Sequence, residues 1–232
     1  MRNKKVVITG ATGRLGRGIA LEFERLGAKV APLKFDAAKV DNFENIVKRA
    51  AKLLGGIDIL VNSAGIFYRT PIQTATSSDW DEFFNVNLRA PFFLSKFAAP
   101  FLKKGRPGRI INIADTYGAS PSAGFVPYGA SKAGLIAMTK GLAKELAPDV
   151  LVNCVCPGVI ENPPIPPFSK GGNSKSPPFA KGGRGGFDKR AINATLLKRP
   201  VRAQDVVEAI VFLARNSSMT GQAVFVDCGR WV

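Results

Sequence analysis

The chain has 232 residues, enough for one α/β domain with its own core. Its 46% hydrophobic and 22% charged residues are globular values and exclude disorder over the whole length. Lys and Arg number 33 against 17 Asp and Glu, a formal charge of +16, and histidine is absent. That absence excludes His-based triads and His-ligated metals, so proton transfer falls to Tyr, Lys, Asp or Glu.

Taken in chain order, Val6-Val7-Ile8-Thr9 is a short apolar run ending at glycine, which predicts a buried strand. Gly16 to Leu26 has helical periodicity, with Ile19, Phe23 and Leu26 on one face and Gly27 as a stop. Lys29 to Leu33 reads as a strand, Asn42 to Leu54 as a helix, and Asp58 to Asn62 as another buried strand. Trp80 to Leu102 predicts a long helix bent at Pro91. A strand at Arg109 to Ile113, a helix at Ser131 to Leu146 and a strand at Val150 to Val155 follow. Ala203 to Ala214 predicts a helix and Ala223 to Val226 a last strand. This alternation predicts one domain over residues 1–232, with a doubly wound, mostly parallel Rossmann-type sheet.

Residues 166–190 break the pattern, with six glycines, four prolines and six basic residues against Asp188 alone. Pro167-Phe168-Ser169-Lys170-Gly171-Gly172 recurs as Pro178-Phe179-Ala180-Lys181-Gly182-Gly183. Such composition cannot offset its ordering entropy, so a mobile loop is expected: an inserted repeat, in preference to an anion-binding arm. Cys154, Cys156 and Cys228 form no disulfide framework and are expected as small buried hydrophobes, with no metal bound. No apolar run reaches membrane-spanning length and the start of the chain lacks a signal-peptide pattern, so a cytoplasmic location without a membrane partner is expected. Basic residues are spread along the chain without a nucleic-acid motif, which predicts a solvated basic surface and no specific nucleic-acid partner.

Thr9-Gly10-Ala11-Thr12-Gly13-Arg14-Leu15-Gly16 lies between the first strand and first helix. Glycines there permit a tight turn and close backbone approach to a pyrophosphate, while the helix start offers free N–H groups. Gly10, Arg14, Leu15 and Gly16 are therefore candidate dinucleotide contacts. Arg17 adds a further cation. Lys34, after the second strand, suits a 2′-phosphate better than a 2′-hydroxyl, so NADP(H) is expected over NAD, with Asp36 close by.

Tyr128-Gly129-Ala130-Ser131-Lys132 puts Tyr and Lys at i and i+4 on one helical face. The ammonium is expected to favour phenolate and lower the Tyr128 pKa. With the Thr9–Gly16 turn, Asn62-Ser63-Ala64-Gly65, Val86-Asn87-Leu88, Pro157-Gly158, Thr220-Gly221-Gln222 and Val226-Asp227-Cys228-Gly229, the chain resembles the short-chain dehydrogenase/reductase family along nearly its whole length. The resemblance implies that Tyr128 donates the proton, Lys132 holds the nicotinamide ribose and tunes Tyr128, and Asn87 positions a relay water. It also implies that Asn62, Ala64, Gly65, Pro157, Gly158 and Val159 line the cofactor, and that the protein is a homotetramer or homodimer.

Three positions depart from the family pattern. Asp115 replaces the serine thirteen residues before the tyrosine, Arg14 the middle glycine, and Ser63 an asparagine. Arg14, Asp115 and Phe67-Tyr68-Arg69-Thr70-Pro71 together resemble the pteridine reductase branch, in which Phe67 would stack on a pterin. An ionised aspartate cannot donate a hydrogen bond to a ketone oxygen and repels the developing alkoxide. It suits a C=N bond or an N–H-bearing ring, so reduction of a pterin or dihydrofolate by NADPH is expected, with Phe67, Asp115 and Tyr128 on the substrate. The alternatives are a carbonyl or 3-oxoacyl-thioester reductase of the same family and a non-catalytic NADP-binding protein. By the resemblance, about one helix–strand unit is absent before Phe35-Asp36-Ala37-Ala38, which predicts six strands rather than seven; Asp36 either stands where the family's adenine contact sits or caps Ala37 onward.

Overall fold

The computed structural model describes residues 1–37, 42–161 and 192–231. The repeat at 166–190 and Ala38 lie outside the described residues.

Six strands form one parallel sheet in the order β2-β1-β3-β4-β5-β6. They are β1 (Lys5–Thr9), β2 (Lys29–Leu33), β3 (Ile59–Asn62), β4 (Gly108–Ile113), β5 (Val150–Pro157) and β6 (Ala223–Val226). Among the described residues the longer α-helices are α1 (Arg14–Arg25), α2 (Phe43–Leu54), α3 (Ser77–Phe84), α4 (Ala90–Leu102), α5 (Val126–Leu146) and α6 (Ala203–Arg215).

Strand alternation sends successive side chains to opposite faces. Val6, Ile8, Ile59, Val61, Ile111 and Ile113 pack with Ile19 and Phe23 of α1 and Val206, Val207 and Ile210 of α6. Val7, Leu60 and Ile110 pack on the other face with Phe43 and Val47 of α2 and Leu94, Ala98 and Leu102 of α4. Both faces are covered, as the apolar strand sequences require. Cys154 and Cys156 are buried and Cys228 is half-buried.

Among the described residues no further helix or strand lies between β2 and α2, and the sheet has the expected six strands with β2 at its edge. An edge strand tolerates Pro32, whose missing N–H would interrupt a central ladder. The strand order reverses between β1 and β3, and in such sheets ligands bind outside the carboxyl ends of the strands at that point.

Two elements differ from the sequence-based expectation. The long helix begins earlier, at Ser77, where Thr76 and Asp79 form a capping box, and it is interrupted by a π-helical turn at Asn85–Arg89. Pro91 falls in the first turn of α4, next to this turn, where a proline is accommodated. α5 starts at Val126 rather than Ser131, because Pro127 presets the helical φ in its first turn, and Tyr128 therefore lies on the helix.

Candidate active site

The first side of the site is made of backbone. Gly10 has φ +68°, and a β-carbon on it would lie 2.8 Å from the Ala64 backbone. A β-carbon on Gly16 would lie 2.2 Å from the Gly10 carbonyl oxygen. Glycine is therefore required at both positions for the turn to close against the β3 end. Gly13 caps α1 without a side-chain hydrogen bond, and the first turn holds no acidic residue, which leaves its N–H groups oriented for an anion. Leu15 packs on the core beneath. Arg14 donates to the Glu161 carbonyl at 3.2 Å, spanning from the turn to the segment after β5.

The turn is tied to the next strand end by Thr9, whose hydroxyl accepts from Ser63 N (3.0 Å) and Ala64 N (2.9 Å). The Asn62 side chain points inside: it donates to Asn112 Oδ1 (2.8 Å) and Ser95 Oγ (3.2 Å), and Asn112 donates to Thr139 Oγ1 (2.9 Å). It thus clamps β3 to β4 and α4 beneath the cleft. Asn87 is fully buried: it accepts from Ile66 N (2.9 Å) and donates to Ile66 O and Ser131 Oγ, both at 3.2 Å. The π turn aims this amide at the loop after β3, so Asn87 positions that loop against α5. Gly65 passes so close that a β-carbon there would be 3.2 Å from Asn87 Oδ1 and 3.5 Å from Lys132 Nζ.

The second side is made of charge. Tyr128 donates its hydroxyl to Asp115 Oδ2 at 2.7 Å. Asp115 Oδ1 accepts from Tyr117 N (2.8 Å) and Thr116 Oγ1 (3.3 Å), and Lys132 Nζ donates to the Ile113 carbonyl at 2.8 Å. These groups sit at the carboxyl end of β4 and on the first two turns of α5. Burial pushes the Asp115 carboxyl above its ordinary pKa, against the opposing pull of its hydrogen bonds and of Lys132. Burial also lowers Lys132 to about 8, against the attraction of Asp115.

The expected lowering of the Tyr128 pKa is not found. Burial first, and then the Asp115 charge, push the phenol well above its ordinary value. The reason is geometric: the hydroxyl faces the carboxyl, while Lys132 Nζ lies 5.8 Å from the Tyr128 ring centre and is bonded to a backbone carbonyl. Tyr128 therefore keeps its proton, as a donor must, and the residue that titrates low is the lysine.

Gly65, Phe67, Asp115, Tyr128, Lys132 and Pro157 line one open cleft of about 170 Å³, below the roughly 300–1,000 Å³ of sites that enclose a drug-sized ligand. It suits a ring or a carbonyl head group. Phe67 is 54% exposed, stands edge-on to Tyr128 at 4.8 Å between ring centres, and is stacked on Phe125 at 5.0 Å. One face of Phe67 is thus already covered by protein. Gly158 donates from its N–H to Val226 O, and Val159 O accepts from Val201 N, so the segment after β5 is held beside β6. Lys34 and Asp36 are exposed just beyond the end of β2, alongside the glycine turn.

Thr9, Phe125 and Ser131 were not visible as site residues in the sequence. Thr9 ends a strand beside the turn, but the acceptor role of its hydroxyl depends on how the β3 loop folds back. Phe125 precedes the tyrosine by three residues, a spacing that could have marked it.

The sequence pattern of the short chain dehydrogenase family matches residues 4–167. A 3-oxoacyl-[acyl-carrier-protein] reductase of Thermotoga maritima is 31% identical over 256 aligned residues, covering 99% of this chain and 98% of that protein. A short-chain dehydrogenase/reductase structure from Brucella melitensis superposes with a TM-score of 0.86 at 30% identity, covering 100% of this chain and 98% of the other. A short chain dehydrogenase from Burkholderia cenocepacia J2315 in complex with NADP gives 0.85 at 28% identity, covering 99% and 98%.

Proposed function

This chain belongs to the short-chain dehydrogenase/reductase family, and from that premise we propose that it is an NADP(H)-dependent carbonyl reductase of the 3-oxoacyl-thioester class, with Asp115 in place of the family's serine. The observation that carries this reading is the 2.7 Å hydrogen bond from Tyr128 to Asp115 inside a cleft shared with Gly65 and Lys132.

The sequence alone argued that Asp115 disfavours ketone reduction, because an ionised carboxylate cannot donate. Burial works against that argument: it pushes the Asp115 pKa up, and in its protonated form the acid has one O–H donor. Asp115 can then polarise a carbonyl oxygen as serine would, while Tyr128 supplies the proton. Lys132, charged below about pH 8, steadies the oxygen's developing negative charge.

The residues fit a dinucleotide. Gly10 and Gly16 keep the turn clear where any β-carbon would collide, and the α1 N-terminus is uncapped. Arg14 and Lys34 supply cations suited to NADP. When bound, the nicotinamide supplies the hydride. The chain's own residues orient the carbonyl in the cleft beside Phe67 and Tyr128, and Tyr128 protonates the oxygen.

The support for the thioester class is the Thermotoga maritima reductase, similar over its whole length. A second reading, reduction of a pterin C=N bond, rests on Phe67 and Asp115 lining one cleft. It is weakened by Phe125, which covers one face of Phe67.

NADPH oxidation is to be followed with acetoacetyl-CoA, a simple ketone, dihydrobiopterin and dihydrofolate. Turnover of acetoacetyl-CoA without turnover of either pterin is expected. Turnover of the pterins alone would overturn the proposal in favour of the second reading, and NADPH binding with no turnover would support the non-catalytic alternative.

A further inference from the structure

Beyond β6 the chain makes a turn in which Asp227 accepts from Gly229 N (2.9 Å) and Trp231 N (3.2 Å). The Asp227 carboxylate is therefore engaged with the backbone around Arg230. The Arg230 guanidinium lies 5.6 Å from the Tyr117 ring centre and 5.1 Å from that of Trp231. Among the described residues it forms no ion pair or hydrogen bond, and its Nε is buried without a partner. A buried donor without an acceptor is costly, and a guanidinium lying against two rings without a charge partner keeps its planar fork for a planar anion.

The location gives this cation its meaning. The Tyr117 ring lies 6.2 Å from that of Tyr128 and 6.3 Å from that of Phe67, and Tyr117 N holds Asp115 Oδ1. Arg230 is thus one ring away from the reacting groups, behind an aromatic lip made by Phe67, Phe125 and Tyr117.

We propose that Arg230 and this lip form a specificity subsite for aryl ketones that carry a carboxylate: the ring packs on Phe67 and Tyr117, and the carboxylate takes the guanidinium. The inference rests on the reductase reading of the cleft and adds to it a second class of ketone beside the 3-oxoacyl thioesters. A substrate with one ring between ketone and carboxylate corresponds to the one ring, Tyr117, that lies between Arg230 and Tyr128.

The probes are 4-acetylbenzoate and its methyl ester, the same ring and ketone without the charge. Trp80 and Trp231 are the chain's two tryptophans, and Trp80 is stacked on Phe84 in α3, so Trp80→Phe leaves Trp231 as a reporter beside Arg230. In that protein the acid is expected to change the emission and bind about tenfold tighter than the ester. Arg230→Gln is expected to bring the ratio near one, with Arg230→Lys between. The same acid-to-ester ratio in kcat/KM is expected for NADPH-dependent reduction. Equal binding of acid and ester, or an acid-to-ester ratio unmoved by Arg230→Gln, overturns the subsite. If the acid binds through Arg230 but neither it nor acetoacetyl-CoA is reduced, the subsite stands and the reductase reading falls.

Discussion

The two sides of the cleft are built by different means. At the Gly10–Gly16 turn the design is an absence of atoms: a single β-carbon at Gly16 would sit 2.2 Å from a carbonyl oxygen. At Asp115, Tyr128 and Lys132 it is a surplus of ionisable groups forced together out of water. The first side tolerates no added volume. The second tolerates changes of shape but not of protonation. Each substitution below tests one side of that contrast.

Tyr128→Phe should have the largest effect, because it removes the only hydroxyl hydrogen-bonded to Asp115 Oδ2 among the described residues. A fall in kcat of about 10²–10⁴-fold is expected, the range typical of a lost proton donor. Titration should show NADPH affinity nearly unchanged, since the glycine turn is untouched. A Tyr128→Phe protein that keeps a tenth or more of its activity would remove Tyr128 from the reaction.

Gly16→Val should act the other way. No flexible atom lies in the path of the new side chain, only the Gly10 backbone, so the turn must open. Dinucleotide binding should weaken by about 100-fold, on the order of 3 kcal/mol. Fluorescence titration with NADPH measures this, and far-ultraviolet circular dichroism checks that the sheet survives. Binding within threefold of the parent would show that the turn does not carry the phosphates.

Asp115→Asn isolates the charge on the second side. A raised carboxyl pKa means that the neutral, donating form prevails at low pH and is lost as pH rises through that value. The same sign applies to stability: the Asp115 contribution is complete below the ordinary aspartate pKa and disappears as pH climbs through the raised one. Lys132 has the opposite displacement, and its charge is lost above about pH 8. The parent kcat/KM should therefore fall in two steps as pH increases. Asparagine donates at every pH, so the variant should lose the acidic step and retain the step near 8. A variant profile identical to the parent's would show that Asp115 does not titrate during turnover.

What could be read from the sequence follows the same division. The short, mostly apolar runs Val6–Thr9 and Ile59–Asn62 are local patterns, buried at every position, and a parallel sheet covered on both faces follows from them. The glycine turn is likewise local, as is the i, i+4 spacing of Tyr128 and Lys132. The upward push on the Asp115 pKa was not readable, because it depends on how much water the folded chain removes. Sequence spacing placed Lys132 beside Tyr128 but could not show that Ile113 O would take its ammonium. The π turn that aims Asn87 at Ile66 has no sequence signature, since its residues fit an ordinary helix equally well. Arg230 was unremarkable until the chain after β6 brought it against Tyr117.

Lys34→Glu should give the smallest effect, and it returns to the first side with a charge instead of a volume. Lys34 is exposed beyond Leu33, whose register partner Thr9 leads into the glycine turn. A cation there would pair with a 2′-phosphate, whereas a carboxylate would repel it and accept from a 2′-hydroxyl. The ratio of NADPH to NADH affinity should shift about tenfold towards NADH, roughly 1.4 kcal/mol at low salt. Because the side chain is in solvent, the shift should shrink as ionic strength rises. A shift that persists unchanged in 1 M salt would mean that the substitution altered the shape of the β2 end instead of its field, and the division between space on one side and charge on the other would have to be redrawn.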